Sequence, residues 1–205
     1  MNSKNASEIK APVGVIGSGS FGSAIANLLA ENQKVYLHTR NQEVADSINS
    51  SRDNRSRKMH GNIVASTDIA EIASSCSLIY PIVPSAYFRE SMQLLGPYLT
   101  PEHILIHGTK GVDIQLPKGD ELTVGYKLNP DKVNTMTEVI LQETIVRRVG
   151  CLAGPNLASE IADGQPAATV IASHFDEVIK LGQRTLRTPN FQVYGSHDLK
   201  GVEIA

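Results

Sequence analysis

Short apolar runs of strand length alternate along the chain with longer stretches whose apolar residues recur at steps of three and four. That alternation predicts strand and helix units wound on a parallel sheet. Val13 to Ile16 is the first predicted strand, and Ala24, Ile25, Leu28 and Leu29 set one apolar face on a helix from about Ser20 to Ala30. Val35 to His38 follows as a strand, Glu43 to Ile48 as a helix and Ile63 to Ala65 as a weak strand. Thr67 or Asp68 is placed to cap a short helix through Ala73. Leu78 to Val83 reads as a fully apolar strand stopped by Pro84. The polar stretch from Ser50 to Asn62 has almost nothing to bury and reads as a loop.

The rhythm continues with a helix from Tyr87 to Leu95 and a strand from Ile104 to Ile106. A polar excursion containing Pro117, Gly119, Gly125 and Pro130 then leads to a helix near Lys132 to Glu143. Val149 to Ala153, Thr169 to Ala172 and Phe191 to Tyr194 are further strands, separated by helices near Leu157 to Ala162 and Glu177 to Leu186. Val202, Ile204 and Ala205 open an apolar pattern that stops, so the chain reads as cut. The expected organisation is a polar tail over 1–12, one dinucleotide-binding domain over 13–195, and over 196–205 the start of a connection to a missing substrate domain.

At 205 residues and 22.1 kDa, the chain buries enough surface to fold without disulfides or a metal. Its 19 basic and 21 acidic residues leave a net charge of -2, so no global field draws it to nucleic acid or an anionic membrane. The first twelve residues carry no apolar run, and no later stretch reaches the ~20 apolar residues of a membrane-spanning helix. The expectation is a cytoplasmic protein in which Cys76 and Cys151 stay reduced as small buried apolar residues.

The segment Gly17 to Gly22, GSGSFG, fits GxGxxG with a predicted strand directly before it and a predicted helix directly after. Gly17 permits the tight turn, Gly19 the close approach of a pyrophosphate, and Gly22 the packing of helix on strand. The N–H groups of the helix start near Ser20 and Phe21 face the anion. The fold class is therefore α/β, a Rossmann-like, doubly wound, mostly parallel sheet with flanking helices. At the end of the second strand, no Asp or Glu awaits a ribose 2′-hydroxyl. Arg40 stands there instead, able to pair with a 2′-phosphate or stack on adenine, or else a solvated residue closing the strand. The coenzyme is NADP or NAD, with the lean toward NADP.

GSGSFGSAIA from Gly17, VPS from Val83, TKGVD from Thr109, GPNLASE from Gly154 and VYGSHDLKGVE from Val193 together resemble the NAD(P)-dependent glycerol-3-phosphate dehydrogenases. The resemblance implies reversible reduction of dihydroxyacetone phosphate to sn-glycerol 3-phosphate, for phospholipid synthesis, by an enzyme with a further helical domain that this chain lacks. It implies that Lys110 lies between coenzyme and substrate, that Gly154 and Asn156 touch substrate, and that Ala158 lies near the coenzyme. Ser85 either contacts the nicotinamide half or caps the following helix. The family's catalytic lysine lies in a Gly-Ala-x-Lys-Asn string beyond Ala205, so no catalytic residue is expected within the chain, which should bind coenzyme and hardly turn over. A homodimer is compatible with the resemblance.

Two departures from the family stand out. Where its members carry Leu-Pro-Gly, this chain has Arg52, Arg55, Arg57, Lys58 and His60, read as a solvated loop or as help for a phosphate. The segment from Ile114 to Asn129 is longer than the usual connection. Bacterial members also carry Ser or Thr more often than Asn at position 156. Two rival readings are another β-hydroxyacid dehydrogenase sharing the glycine loop and a non-catalytic dinucleotide-binding module.

Overall fold

The computed structural model describes residues 11–116, 119–120, 123 and 126–205. Most of the expected N-terminal tail and part of the 114–129 excursion lie outside the described residues. In chain order the first elements are β1 (Val13–Ile16), α1 (Ser20–Asn32), β2 (Val35–His38), α2 (Gln42–Ser51), β3 (Asp53–Asn54), β4 (Arg57–Lys58), β5 (Ile63–Ser66), α3 (Ile69–Ser75) and β6 (Leu78–Pro81). Then come α4 (Phe88–Leu95), β7 (Ile104–His107), β8 (Asp113–Ile114), β9 (Val133–Asn134), α5 (Met136–Glu143) and β10 (Arg148–Ala153). The last are α6 (Ala158–Ala162), β11 (Ala167–Ser173), α7 (Asp176–Leu186), β12 (Phe191–Ser196) and α8 (Leu199–Ile204).

Eight strands form one sheet in the order β12-β11-β10-β7-β6-β1-β2-β5. Every neighbouring pair is parallel except β10 with β11. From β1 the chain builds outward through β2 and β5, then returns across β1 to lay down β6 and β7 on the other side. The reversal creates a crevice at the carboxyl ends of β1 and β6, where sheets of this kind take ligands.

Helices cover both faces, which is why β1, β6 and β7 are buried at every position rather than alternating, and apolar but for His107 at the end of β7. On one face Val15, Tyr80 and Ile106 pack with Ile25 and Leu29 of α1 and Val178 and Leu186 of α7. On the other, Ile16, Ile79 and Leu105 pack with Ile72 of α3, Phe88 and Met92 of α4, and Val139 and Ile140 of α5. Tyr80 is fully buried, and its hydroxyl lies 2.9 Å from the Thr185 hydroxyl, which satisfies a polar group the core would otherwise strand.

The structure departs from the expected elements where side-chain capping or a buried polar group outranks hydrophobic period. The helix expected from Lys132 begins at Met136, because Thr135 and Glu138 form a reciprocal capping box there. Before it, Pro130–Lys132 makes a 3-10 turn and β9 pairs antiparallel with β8. The strand expected to Val83 ends at Pro81, and a 3-10 turn over Ser85–Tyr87 precedes α4, which therefore starts at Phe88. Of the two candidate caps before α3, Asp68 does the work, accepting from the N–H groups of Ala70 and Glu71.

The largest correction is the stretch from Ser50 to Asn62, which is no plain solvated loop. The β3 and β4 strands form a hairpin whose tip residues, Arg55 and Ser56, sit in the left-handed region at φ 51° and 67°. Met59 fills the core at 2% exposure and Asn54 is buried at 5%. Two burials in thirteen polar positions were enough to order it.

Candidate dinucleotide site

The glycine loop leaves β1 in the crevice. Gly17 has φ +115°, and a Cβ there would lie 2.2 Å from the Ile82 carbonyl oxygen, so only glycine allows this turn beside β6. A Cβ on Gly22 would lie 1.9 Å from the Gly17 carbonyl oxygen, so the first turn of α1 is pressed directly onto the loop. Gly19 faces open space, with no atom within 4 Å of where its Cβ would stand. The loop is thus closed on its protein side and clear on its outer side. That is the shape a pyrophosphate needs to meet the free N–H groups of Ser20 and Phe21.

Ser18 fixes the loop from three directions. Its hydroxyl donates to Thr39 Oγ1 at the end of β2 (2.9 Å), and its carbonyl accepts from Ser23 Oγ of α1 (3.2 Å) and Asn54 Nδ2 of the hairpin (3.0 Å). Asn54 Nδ2 also reaches Ser23 Oγ at 2.8 Å. Arg57 donates to the Ser20 carbonyl, and Asn27 of α1 bonds the backbone at both Lys58 and His60. The basic stretch therefore straps the start of α1 and sets cations beside it. Asn54→Ala removes one buried and one part-buried hydrogen bond and leaves the Ser18 carbonyl with the Ser23 hydroxyl as its side-chain donor. It is expected to cost about 1–3 kcal/mol in denaturant unfolding and to weaken NADPH binding; unchanged values for both would contradict this role.

Arg40 is exposed just past β2, with its guanidinium over the Tyr87 ring, 5.6 Å from the centroid. The pair reaches across the mouth of the crevice from the β2 and β6 sides. His38, next to Thr39, has its pKa lowered, chiefly by burial, so the imidazole is neutral and adds no charge near Arg40 at pH 7.

The remaining candidates gather at the carboxyl ends of β6, β7 and β10. The Phe21 ring lies 3.3 Å from where a Cβ on Gly108 would stand, which links the glycine loop to the residue after β7. Thr109 Oγ1 donates to the Val83 carbonyl at 2.7 Å, tying the Thr109–Lys110 turn to the end of β6. Ser85 Oγ sits 3.2 Å from a would-be Cβ on Gly111, so Ser85 lies beside that turn. Ser85 is the N-cap neither of the 3-10 turn it begins nor of α4, whose N-caps are Pro84 and Tyr87. Lys110 is exposed, its Nζ 3.4 Å from the Gly154 carbonyl oxygen. Asn156 Nδ2 donates to Thr169 Oγ1 at 3.0 Å, while its buried Oδ1 has no partner among the described residues. Ala158 opens α6 and packs against the core beside α1.

The sequence-predicted residues thus fall into two groups, Gly17–Gly22 with Arg40, and Ser85 with Lys110, Gly154 and Asn156, joined by Phe21 over Gly108. Asn54, Tyr87 and the Ser18–Thr39 pair escaped sequence reasoning. Tyr87 looked like an ordinary helix start, and Asn54 sits in a polar run without hydrophobic period. The only local signal for Asn54 was its place among residues that a turn favours.

A doubly wound sheet with this glycine loop at its reversal point defines a Rossmann-type dinucleotide-binding domain. The chain belongs to the NAD-dependent glycerol-3-phosphate dehydrogenase N-terminus family, whose model matches residues 12–179. It is 36% identical over 200 residues to a protein of Saccharophagus degradans named glycerol-3-phosphate dehydrogenase (NAD(P)+), covering 95% of this chain and 51% of that protein. A protein of the same name from Pseudomonas paraeruginosa is 37% identical over 198 residues, covering 94% of this chain and 53% of its own length. The chain therefore spans about half the length of the curated relatives it matches. Among solved structures, glycerol-3-phosphate dehydrogenase from Coxiella burnetii superposes with a TM-score of 0.77 at 27% identity, over 95% of this chain and 56% of that one. The Saccharomyces cerevisiae enzyme gives 0.80 at 21% identity, over 94% and 58%, which speaks for the fold. No helix among the described residues is long and apolar enough to cross a membrane.

Proposed function

We propose that this chain is the coenzyme-binding part of a cytoplasmic dehydrogenase that moves hydride reversibly between NAD(P)H and dihydroxyacetone phosphate, yielding sn-glycerol 3-phosphate for phospholipid synthesis. The observation that carries the reading is the glycine loop, sealed against Gly17 and Ile82 carbonyls and open at Gly19. The residues present fit a dinucleotide. The Gly17 to Gly22 loop receives the pyrophosphate on the free backbone N–H groups of Ser20 and Phe21, with the α1 dipole behind them. Arg40 and Tyr87 take the adenosine end, and Ser85 and Ala158 border the nicotinamide half. When bound, the coenzyme supplies the hydride.

Lys110 is the cation for the substrate. Its ammonium is held toward the Gly154 carbonyl, at the ends of adjacent strands β7 and β10, and can turn to a phosphate or to a ketone oxygen. Gly154 lets Asn156 and the Ala168 carbonyl close on that turn, since a Cβ there would lie 3.0 Å and 3.1 Å from them, and the unpartnered Oδ1 of Asn156 can accept from a substrate hydroxyl. Proton transfer to the ketone oxygen is assigned to no residue of this chain.

The coenzyme preferred is NADP. Arg40 stands two residues past β2 where an acidic residue would select NAD, and its guanidinium can pair with the 2′-phosphate while resting on Tyr87. Arg40→Ala is expected to weaken NADPH about tenfold and NADH much less, a loss set by one exposed charge-assisted contact. Parallel fluorescence titrations test it. Equal losses for the two coenzymes would contradict the 2′-phosphate role.

A further inference from the structure

A buried ionisable pair lies at the end of β7, beside α5 and α8. His107, the last residue of β7, and Glu203 of α8 meet with side chains 1% and 3% exposed, Nε2 to Oε1 at 3.3 Å. The same Oε1 accepts from the backbone N–H of Thr137, in the first turn of α5, at 2.9 Å. Thr137 Oγ1 lies 3.2 Å from His107 Nε2, so the three groups close a small ring of polar contacts. The tautomer with its proton on Nε2 donates to the carboxylate, and Nδ1 is buried without a partner among the described residues. Phe88 of α4 packs edge-on to the imidazole, 5.8 Å between ring centroids, and holds its plane.

A carboxylate this enclosed must be matched on its polar side or it unfolds what it touches. Burial alone would raise the Glu203 pKa; the bond and charge of His107, with the Thr137 N–H, outweigh that and lower it. The neighbouring Cys151 of β10 feels the same charge. Its thiol is pushed up to about 12, mostly by burial and further by Glu203. Leu199 and Val202 of α8 pack on Cys151 and Ala172, and Cys151 Sγ reaches the Leu199 carbonyl at 3.8 Å. The groups facing Glu203 are therefore His107 from β7, Thr137 from α5 and Cys151 from β10.

His107 stands three residues before Lys110 and pairs in register with Cys151, three residues before Gly154. We propose that Glu203 is a positioning residue for the substrate end of the crevice: its carboxylate clamps His107 to α5 and α8, and so fixes the β7 end from which Lys110 is presented. This rests on Lys110 being the substrate cation, as proposed above. β7 and α5 converge on one oxygen of α8, and Lys110 lies in the turn that follows directly on β7. The coenzyme loop lies on the far side of β6 and meets this turn through the Phe21 ring at Gly108, so the clamp acts first on the Lys110 turn and leaves the Gly17–Ser20 backbone alone.

The test is nuclear magnetic resonance of the 205-residue protein, comparing wild type with Glu203→Gln, which keeps the shape and removes the charge. Expected are shifted amide signals and about tenfold lower amide protection from Gly108 to Lys110, a displaced Lys110 side-chain signal, and unchanged Gly17–Ser20 signals. His107→Gln, which can still donate to the carboxylate, is expected to keep the Lys110 signals near those of wild type, whereas His107→Leu, which cannot, is expected to displace them, and this pair serves should Glu203→Gln not fold. Changes confined to α8 and Thr137, or spread equally over the glycine loop, would overturn the proposal. NADPH added to the wild-type sample separates the two readings. A wild type whose glycine-loop signals ignore NADPH defeats the proposed function, whereas a responsive wild type with an unmoved Lys110 in Glu203→Gln defeats only the clamp.

Discussion

Gly22→Ala is expected to abolish measurable NADPH binding, a loss of at least about a hundredfold, and to lower stability by about 2–4 kcal/mol. The added methyl would stand 1.9 Å from the Gly17 carbonyl oxygen, far inside van der Waals contact. That oxygen belongs to backbone, and Gly17 is itself held at φ +115° against the Ile82 carbonyl, so neither partner can step aside. The helix start must lift, and the N–H groups of Ser20 and Phe21 lose their common aim on one anion. The contrast is Gly19→Ala, whose methyl enters open space: the fold is expected to keep its stability while the coenzyme meets the methyl. Calorimetric titration and thermal melting of both variants measure this. A Gly22→Ala protein that binds NADPH like wild type would contradict the geometry of the cradle.

His107→Leu is expected to destabilise the fold by about 3–5 kcal/mol at pH 7, since it leaves the Glu203 carboxylate buried with one side of its pairing gone. Leucine fills much of the imidazole's volume, so the loss is electrostatic rather than a cavity. Its pH dependence identifies it. The Glu203 pKa is lowered in the folded state, so its contribution is fully present above the unfolded value of about 4.3. It is lost as the pH falls through the lower folded value. The gap between wild type and His107→Leu should therefore be wide at pH 7 and narrow in acid. Denaturant unfolding at several pH values gives the answer. A gap that stays constant down to pH 3 would assign the loss to packing.

Hydrophobic period along the chain carries the sheet and its helices because parallel strands covered on both faces must be apolar throughout. The Leu78–Pro81 strand shows this, as do Ile104–His107 short of its terminal histidine and the buried middle of Arg148–Ala153. GSGSFG was equally legible, since its chemistry is backbone chemistry and glycine spacing writes it directly into the sequence. What stayed hidden depends on polar groups meeting across long separations. Asn54 reaches Ser18 over 36 residues and Glu203 reaches Thr137 over 66, and neither partner marks the other in sequence. The hairpin over Asp53–Lys58 was read as a solvated loop because its order comes from Asn54, Asn27 and one buried methionine rather than from an apolar stripe. The start of α5 was misplaced by four residues because a capping box, and not the first apolar residue, decides where a helix begins.

Binding of a pyridine dinucleotide in the crevice beside β1 is the claim on which the other assignments stand. Isothermal titration of the 205-residue protein with NADPH tests it directly. One site per chain with a Kd of about 1–100 μM, and a melting temperature that rises with NADPH concentration, is the expected result. Folded protein that gives neither heat nor thermal protection with NADPH or NADH would contradict it.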